Sequence, residues 1–359
     1  MPTVQLFQDD ALAILRLLDA DSIDSIITDP PYGMSSRFSV SYSRFVGHQG
    51  KRRGFQGNGW DAALPDPEVW REALRVLKPG GFLIAFGGTA TYHRLASAIE
   101  DAGFVVRDMI EWVHCQGMPK WFDVAQQLAK LNAAYAGAYE GWQLNLKPAH
   151  EPAVLAQKPI SEHTYAANIV RWGVGALNAE ACRSPFVDDK DRRQFVRNFS
   201  NGDERHQSDG YESAIGAGRT PSRNGRYPAD VVTTDVDALG PGGHVFYVGD
   251  ELVNIVRCRK ASQRERTCEG EIENHHPTVK PLGLLRWLIR LVTPSGGIVL
   301  DPFAGSGTTG VAALDEACNA ILIEREPEYA AIANARLAQA DVSLVRFRKL
   351  DSLSPGAAA

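Results

Sequence analysis

Four consecutive residues near the start of the chain, Asp29-Pro30-Pro31-Tyr32, combine a carboxylate, a rigid backbone and an aromatic ring. That set suits one demanding reaction, attack by an exocyclic nucleobase amine on an electrophilic carbon. The amine lone pair is delocalised into its ring, so the nitrogen is a poor nucleophile. Accepting hydrogen bonds from both of its N–H groups draws it toward a tetrahedral shape. The Asp29 carboxylate and the Pro30 carbonyl are suitable acceptors, and Pro30 and Pro31 hold that carbonyl in a fixed direction. The Tyr32 ring is a stacking platform worth roughly 1–3 kcal/mol, which offsets much of the few kcal/mol needed to flip a base from a duplex. Neither a metal nor a covalent intermediate is required. As a bare tetrapeptide D-P-P-Y also occurs in ordinary turns, so its setting decides.

The second constellation is Asp301-Pro302-Phe303-Ala304-Gly305-Ser306-Gly307-Thr308-Thr309-Gly310. Gly305, Gly307 and Gly310 fit G-x-G-x-x-G between a strand pattern and a helix pattern, and Glu324 ends the next strand, near the ~20-residue spacing of a ribose-binding carboxylate. The glycines permit a tight turn and close approach of a ligand. The pattern describes a site for an adenosine-containing cofactor, and both a nicotinamide dinucleotide and S-adenosylmethionine satisfy it. Too few residues follow Leu300 to build a two-half dinucleotide domain, so strands from earlier in the chain must complete the cofactor site. A nicotinamide-dependent oxidoreductase would also leave the tetrad without a role.

The elements that must position these residues follow from periodicity. Val4-Gln5-Leu6-Phe7 reads as a strand, Leu12, Leu15 and Leu18 have helical spacing, and Ser25-Ile26-Ile27-Thr28 is a buried strand ending at the tetrad. A helix over 67–79 ends at Lys78-Pro79-Gly80-Gly81 and leads into a strand from Phe82 to Phe86. A helix near 91–102, strands near 104–108 and 110–114, a helix over 123–139 and a strand from Pro152 to Gln157 follow. After about residue 275 come a helix from Leu282 to Val292, a strand at Ile298-Val299-Leu300, a helix from Thr308 to Asp315, a strand at Ala320-Ile321-Leu322-Ile323 and a helix over 327–338. Alternating strands and helices indicate a doubly wound parallel sheet. The stretch between about 160 and 275 is more polar, with short apolar runs, and reads as an inserted module or a partly disordered segment outside that sheet.

Bulk properties bound the rest. The 359 residues, 44% hydrophobic, suffice for a large α/β domain with an inserted module. Five cysteines without a C-x-x-C pair fit free thiols in a reducing cytoplasm. Cys258, Cys268, His275 and His276 match no familiar zinc spacing, and no metal is expected. No signal peptide or long apolar run is seen, which predicts no membrane association. A net charge of −5 is unusual for a nucleic-acid binder, although Lys51-Arg52-Arg53 and the stretch from Arg257 to Arg266 are locally basic. The loop after the tetrad carries Arg37, Arg44, Lys51, Arg52 and Arg53 among the aromatics Phe38, Tyr42, Phe45, Phe55 and Trp60. It reads as a segment that closes over DNA and a flipped base, with an ordinary charged surface loop as the alternative. Trp112 and Trp121 read as packing residues, and His114 and His150 as satisfied polar groups.

With these motifs in order, the chain resembles the DNA amino-methyltransferases in their permuted, beta-class arrangement. The resemblance rests on Thr28-Asp29-Pro30-Pro31-Tyr32-Gly33, on Asp301 to Thr308, on His276-Pro277-Thr278-Val279-Lys280-Pro281, on Lys147-Pro148-Ala149-His150-Glu151-Pro152, on Lys78-Pro79-Gly80-Gly81 and on Asp10. It covers about 1–160 and 275–340. It implies a Rossmann-like mixed seven-stranded sheet with an inserted target-recognition region. The implied division is a catalytic half over 1–160, target recognition over 161–274, a cofactor half over 275–345 and a tail over 346–359. It implies catalysis by Asp29, Pro30, Pro31 and Tyr32. S-Adenosylmethionine would be held by Asp10 near its adenine, Thr278 and Lys280 near its methionine, and Asp301, Pro302, Phe303, Gly305, Gly307, Thr308 and Glu324. The expected substrate is N6 of adenine in duplex DNA, with N4 of cytosine as the alternative and an RNA methyltransferase or non-catalytic relative less favoured. A homodimer and a separate restriction enzyme are compatible partners.

Overall fold

The structure is a computed structural model and describes residues 2–33, 59–61, 63–114, 123–131, 137–144, 146, 148–183, 189, 192–193, 227–228, 230–233, 256–257, 261–268, 270–341 and 345–348. Its strands are β1 (Val4–Phe7), β2 (Ile23–Thr28), β3 (Leu77–Phe86), β4 (Val105–Val113), β5 (His150–Gln157), β6 (Val231–Thr233), β7 (Val256–Arg257), β8 (Ile298–Asp301), β9 (Asn319–Ile323) and β10 (Val345–Arg348). The helices are α1 (Ala11–Leu15), α2 (Pro67–Val76), α3 (Tyr92–Asp101), α4 (Val124–Leu131), α5 (Tyr165–Trp172), α6 (Gln263–Arg266), α7 (Leu282–Val292), α8 (Thr308–Asp315) and α9 (Pro327–Asp341).

All ten strands join one sheet in the order β10-β1-β9-β8-β2-β3-β5-β4-β6-β7. Seven of them, from β1 to β4 in that order, make the mixed sheet that the resemblance implies, and the antiparallel β5 corrects the parallel sheet read from the alternation of strands and helices. Among the described strands only β5 runs antiparallel to its neighbours, β3 and β4. The chain winds outward in two directions from the centre: β2 leads to β3 on one side, and β8 leads to β9 on the other. The adjacent tips of β2 and β8 are therefore the point where strand order reverses, the place where open α/β sheets form ligand crevices.

Alternation along the strands divides the core into two layers. Phe82, Ile84 and Phe86 of β3 face one layer with Trp112, Leu155 and helix α7. Leu83 and Ala85 face the other with Val154 and helix α2. Helix α2 begins where the Asp66 side chain accepts from Glu68 N at 2.9 Å, and it buries Val69, Trp70, Ala73 and Val76 on one side. Large apolar side chains such as these contribute about 1.5–3 kcal/mol each on full burial. Among the described residues no helix is long and apolar enough to cross a membrane.

Several expected boundaries shift. Helix α2 stops at Val76, and Lys78-Pro79-Gly80-Gly81 opens β3 instead of ending the helix. The pairing of β3 with β2 slips between Ile23 and Ser25, so these residues form an irregularity in the strand. Gly80, at φ +84°, provides the backbone turn it needs. The two strands expected at 104–108 and 110–114 are the single strand β4, interrupted by a register shift between Val106 and Asp108. Of the helix expected over 123–139, α4 forms Val124–Leu131 and Gly137–Tyr139 is a 3₁₀ turn, while 132–136 lie outside the described residues. The insertion is not wholly outside the sheet. Strand β6 pairs with β4, and β7 with β6. Strand β10 pairs with β1 and takes up residues expected to begin the tail.

Candidate active site

At the reversal point the tips of β2 and β8 are tied together. Thr28 Oγ1 donates to Asp301 Oδ1 at 2.7 Å across the two strands. Asp301 is buried and also accepts from Thr309 Oγ1 at 2.6 Å and from Phe303 N at 3.1 Å. Burial nevertheless pushes its carboxyl up to about 6. The loops leaving both tips open into one cavity of about 1340 Å³. That exceeds the roughly 300–1,000 Å³ of a typical small-ligand pocket, and leaves room for two ligands side by side.

One end of the cavity is the tetrad. Its backbone is pinned from both sides: Tyr32 N donates to Asp61 Oδ1 at 2.7 Å, and Thr91 Oγ1 donates to Tyr32 O at 2.8 Å. The Tyr32 hydroxyl donates toward Asp29 Oδ1 at 2.7 Å, with Glu151 Oε2 at 3.1 Å as a second acceptor. The Lys280 ammonium forms ion pairs with Asp29 Oδ2 and, at 3.0 Å, with Glu151 Oε2. It also donates to the Tyr32 hydroxyl at 3.1 Å and lies 4.9 Å from the Phe86 ring centroid. His114 Nε2 is 3.3 Å from the other oxygen of Glu151.

Burial raises the Asp29 carboxyl above the ordinary carboxylate range, aided by the charge of Glu151 and opposed by Lys280. Burial and the two carboxylates raise the Tyr32 hydroxyl well above its usual value, which keeps it a donor. Burial alone would raise Glu151 as well, but Lys280 and His114 outweigh it and hold Glu151 below its ordinary value. Lys280 is raised because Asp29 and Glu151 outweigh the burial that opposes its charge.

The other end is the glycine turn between β8 and α8. Gly305 N donates to Glu324 Oε2 at 2.8 Å, and Glu326 N donates to Glu324 Oε1 at 2.8 Å. Each oxygen keeps a lone pair for a ligand hydroxyl. Burial pushes the Glu324 carboxyl up to about 7. Gly305 (φ +53°) and Gly307 (φ +78°) both hold left-handed backbone. A Cβ on Gly305 would lie 2.8 Å from His276 Nε2, and one on Gly307 2.9 Å from Ala333 Cβ of α9. Buried Arg336, also from α9, donates to Ser306 O and to Thr308 Oγ1, both at 2.8 Å, bracing the turn from behind.

The structure brings the expected tetrad and cofactor residues together around this one cavity, except Gly307, which does not line it and packs against Ala333 of α9. Pro30, Pro31, Asp10, Thr278, Pro302, Phe303 and Thr308 all line it. The carboxylate of Asp10 caps α1, accepting from Leu12 N at 3.0 Å. Thr278 N donates to His276 Nδ1 at 3.3 Å. Lys280, assigned by resemblance to the cofactor's methionine, has its ammonium on Asp29 and Glu151. Arg37, Arg44, Lys51, Arg52 and Arg53 lie outside the described residues.

Other contributors carry weaker sequence signals. Glu151 stood only inside a Pro-flanked motif, and Arg336 in an unremarked helix. His276, stacked on Trp60 at 6.1 Å and edge-on to Tyr329 at 4.5 Å, forms a wall beside Gly305. Burial lowers its imidazole to about 4, so it is neutral near pH 7. Trp112 is buried in the core as expected, while Trp121 lies outside the described residues. Among the described residues no cluster of His, Cys, Asp or Glu has the arrangement of a metal site.

A family model described as DNA methylase matches residues 23–335. The type II methyltransferase M.HindIII of Haemophilus influenzae is 28% identical over 338 residues, covering 86% of each chain. The solved M1.HpyAVI–SAM complex is 21% identical, covering 93% of this chain and 98% of that one, with a TM-score of 0.46. A putative DNA modification methylase from Thermus thermophilus, complexed with S-adenosyl-L-methionine, is 19% identical over 98% of this chain and 99% of that one, with a TM-score of 0.49. The family match spans both the tetrad and the glycine turn and runs through most of the chain: the chain belongs to the DNA methylase family.

Proposed function

We propose that this chain transfers a methyl group from S-adenosylmethionine to N6 of an adenine flipped out of duplex DNA. The observation that carries the reading is the opening of the Asp29–Tyr32 tetrad and the Gly305–Gly307 turn into one cavity at adjacent strand tips. The residues at the turn fit the cofactor. Glu324 has acceptor capacity for both ribose hydroxyls, Asp10 lines the same cavity, and Gly305 presents bare backbone on the cavity wall. When bound, S-adenosylmethionine supplies a methyl group activated by its sulfonium.

The chain's own residues prepare the amine. Asp29 accepts one N–H and the Pro30 carbonyl the other, so the nitrogen lone pair is freed from the ring. The Tyr32 ring stacks on the flipped base. As the nitrogen takes the methyl carbon, whose bond to the sulfonium sulfur would break with its electron pair left on sulfur as a neutral thioether, the nitrogen becomes cationic, and one of its hydrogens then leaves to Asp29 and on to water. The basic residues Arg37, Arg44, Lys51, Arg52 and Arg53 are assigned to the DNA backbone, and the insertion to target recognition. Cytosine N4 presents the same amine chemistry and is the alternative base. The enzyme would act in the cytoplasm, and light scattering with and without duplex DNA would read whether it acts as a homodimer.

The decisive experiment is incubation of mixed-sequence, unmodified duplex DNA with methyl-labelled S-adenosylmethionine, followed by digestion and nucleoside mass analysis. Label in N6-methyladenine is expected. Label in N4-methylcytosine would keep the mechanism and change the base, while cofactor binding without any label in DNA would overturn the reading.

A further inference from the structure

The methyl-transfer chemistry uses one carboxylate, yet two converge on Lys280. The second, Glu151, arrives by topology. Because β5 runs against its neighbours, its beginning lies at the carboxyl ends of the parallel strands, with His150 paired to Val113 and Ala153 to Phe86. That single reversal delivers Glu151 to the edge of the sheet where β2 delivers Asp29.

We propose that Glu151 and Lys280 are a positioning pair for methyl transfer, holding one buried cluster in which Asp29 is the group that receives the substrate amine's proton. This inference rests on the methyltransferase reading above. The geometry divides the labour. The Lys280 side chain is 6% exposed and has its ammonium on Asp29, Glu151 and the Tyr32 oxygen, so its three hydrogens have three acceptors. Glu151 has Lys280 on one oxygen and His114 at 3.3 Å on the other. Asp29 receives Lys280 on Oδ2 and Tyr32 on Oδ1, which leaves each oxygen further acceptor capacity, and Asp29 lines the cavity.

The charged and titratable groups around Asp29 come from every side of the site. They are Lys280 from the segment before α7, Tyr32 from its own loop, Glu151 from β5 with His114, the residue that follows β4, behind it, and Asp301 at the tip of β8. Glu151 is held below its ordinary value and Asp29 above its own. Two neighbouring carboxyls with proton affinities pushed apart take different roles. Glu151 stays charged and keeps Lys280 in place, while a proton released by the amine settles on Asp29. Asp29, Glu151 and Lys280 together carry one net negative charge, which matches the positive charge that the reaction moves onto the amine.

The test is carboxyl ¹³C NMR titration of aspartate-labelled, cofactor-free protein, with the Asp29 signal assigned by its loss in Asp29→Asn. The wild-type midpoint is expected above the ~3.9 of a free aspartate. Glu151→Gln removes a like charge and should lower that midpoint by roughly one pH unit, whereas Lys280→Met should raise it by a similar amount. In single-turnover assays Glu151→Gln should slow transfer roughly tenfold or more, with little change in KM for the cofactor, and Glu151→Asp should recover part of the loss. An active wild type whose Asp29 midpoint does not move in Glu151→Gln overturns the inference. If that variant does not fold, Lys280→Met decides, and an unmoved or lowered midpoint there also overturns it. A wild type that transfers no methyl group to DNA fails the methyltransferase reading itself, whatever the titration shows.

Discussion

In the proposed reaction Asp29 has to stay a good acceptor in a cavity that penalises its charge, and its partners bear on that. Lys280 and Tyr32 each occupy one oxygen without exhausting it. Asp29→Ala is expected to reduce turnover by at least about 10³-fold, because it removes both the amine acceptor and the proton acceptor. Cofactor affinity measured by calorimetry should change less than about threefold, since the glycine turn is untouched. Unchanged turnover would remove Asp29 from the mechanism. At the other end, Glu324 with its carboxyl near 7 makes cofactor binding pH-dependent. Ribose hydroxyls are accepted by the ionised form, so affinity should tighten by about tenfold between pH 6 and pH 8, and Glu324→Gln should bind weakly with a flat profile. The same raised value has the opposite sign for the free protein. Its stabilising contribution is full below the ordinary value of 4.5 and is lost as pH rises through about 7. The difference in Tm between wild type and Glu324→Gln should therefore move against the wild type across that window.

Between residues and fold stands the strand-turn-helix unit of β8 and α8. Its two left-handed glycines face different neighbours, so the same substitution should fail in different ways. Gly307→Ala would press on Ala333 of α9 while forcing a left-handed alanine. A loss of about 1–3 kcal/mol in urea unfolding is expected. Gly305→Ala would strike His276, which stacks on Trp60 and lines the cavity. Its larger effect should be on cofactor affinity, read by titration calorimetry. Equal affinities in the wild type and the Gly305 variant would mean that His276 gives way freely. A second unit, Lys78-Pro79-Gly80-Gly81, shows the limit of reading signals locally. Proline and glycine mark the end of a helix as well as a kinked strand entry, and only pairing with β2 distinguishes them. Gly80 N donates to Lys158 O at 3.0 Å, and Asn168 Nδ2 donates to Pro79 O at 2.8 Å, bonds that no local pattern announces.

For the molecule as a whole, the net charge of −5 means that attraction to DNA must come from local basic segments. Neutralising Lys51, Arg52 and Arg53 together should weaken duplex binding. It should also flatten the dependence of log Kd on log salt by about 0.9 for each phosphate that is no longer neutralised. An unchanged slope in fluorescence anisotropy would show that this run does not touch DNA. The sheet brings the Asp29–Tyr32 tetrad beside the glycine turn only because β2, which leads into the tetrad, and β8, which leads into the turn, are neighbours despite lying at opposite ends of the chain.

Much of this was legible in the residues alone because it is local. A buried strand ending in Asp-Pro-Pro-Tyr and a strand-turn-helix with Gly305, Gly307 and a later Glu324 announce their chemistry within a few tens of residues. Apolar alternation marks the principal strands in the same way. The rest depended on interactions between distant parts of the chain. Lys280 lies 251 positions from Asp29, and Glu151 lies 119 from Tyr32. No periodicity records either distance, and the direction of β5, which decides where Glu151 ends up, is a property of the assembled sheet. Sequence by itself determined which groups could activate an amine and hold an adenosine. Only the tertiary structure decided which second carboxylate and which lysine set the charge of Asp29, because a buried group's proton affinity belongs to everything packed around it.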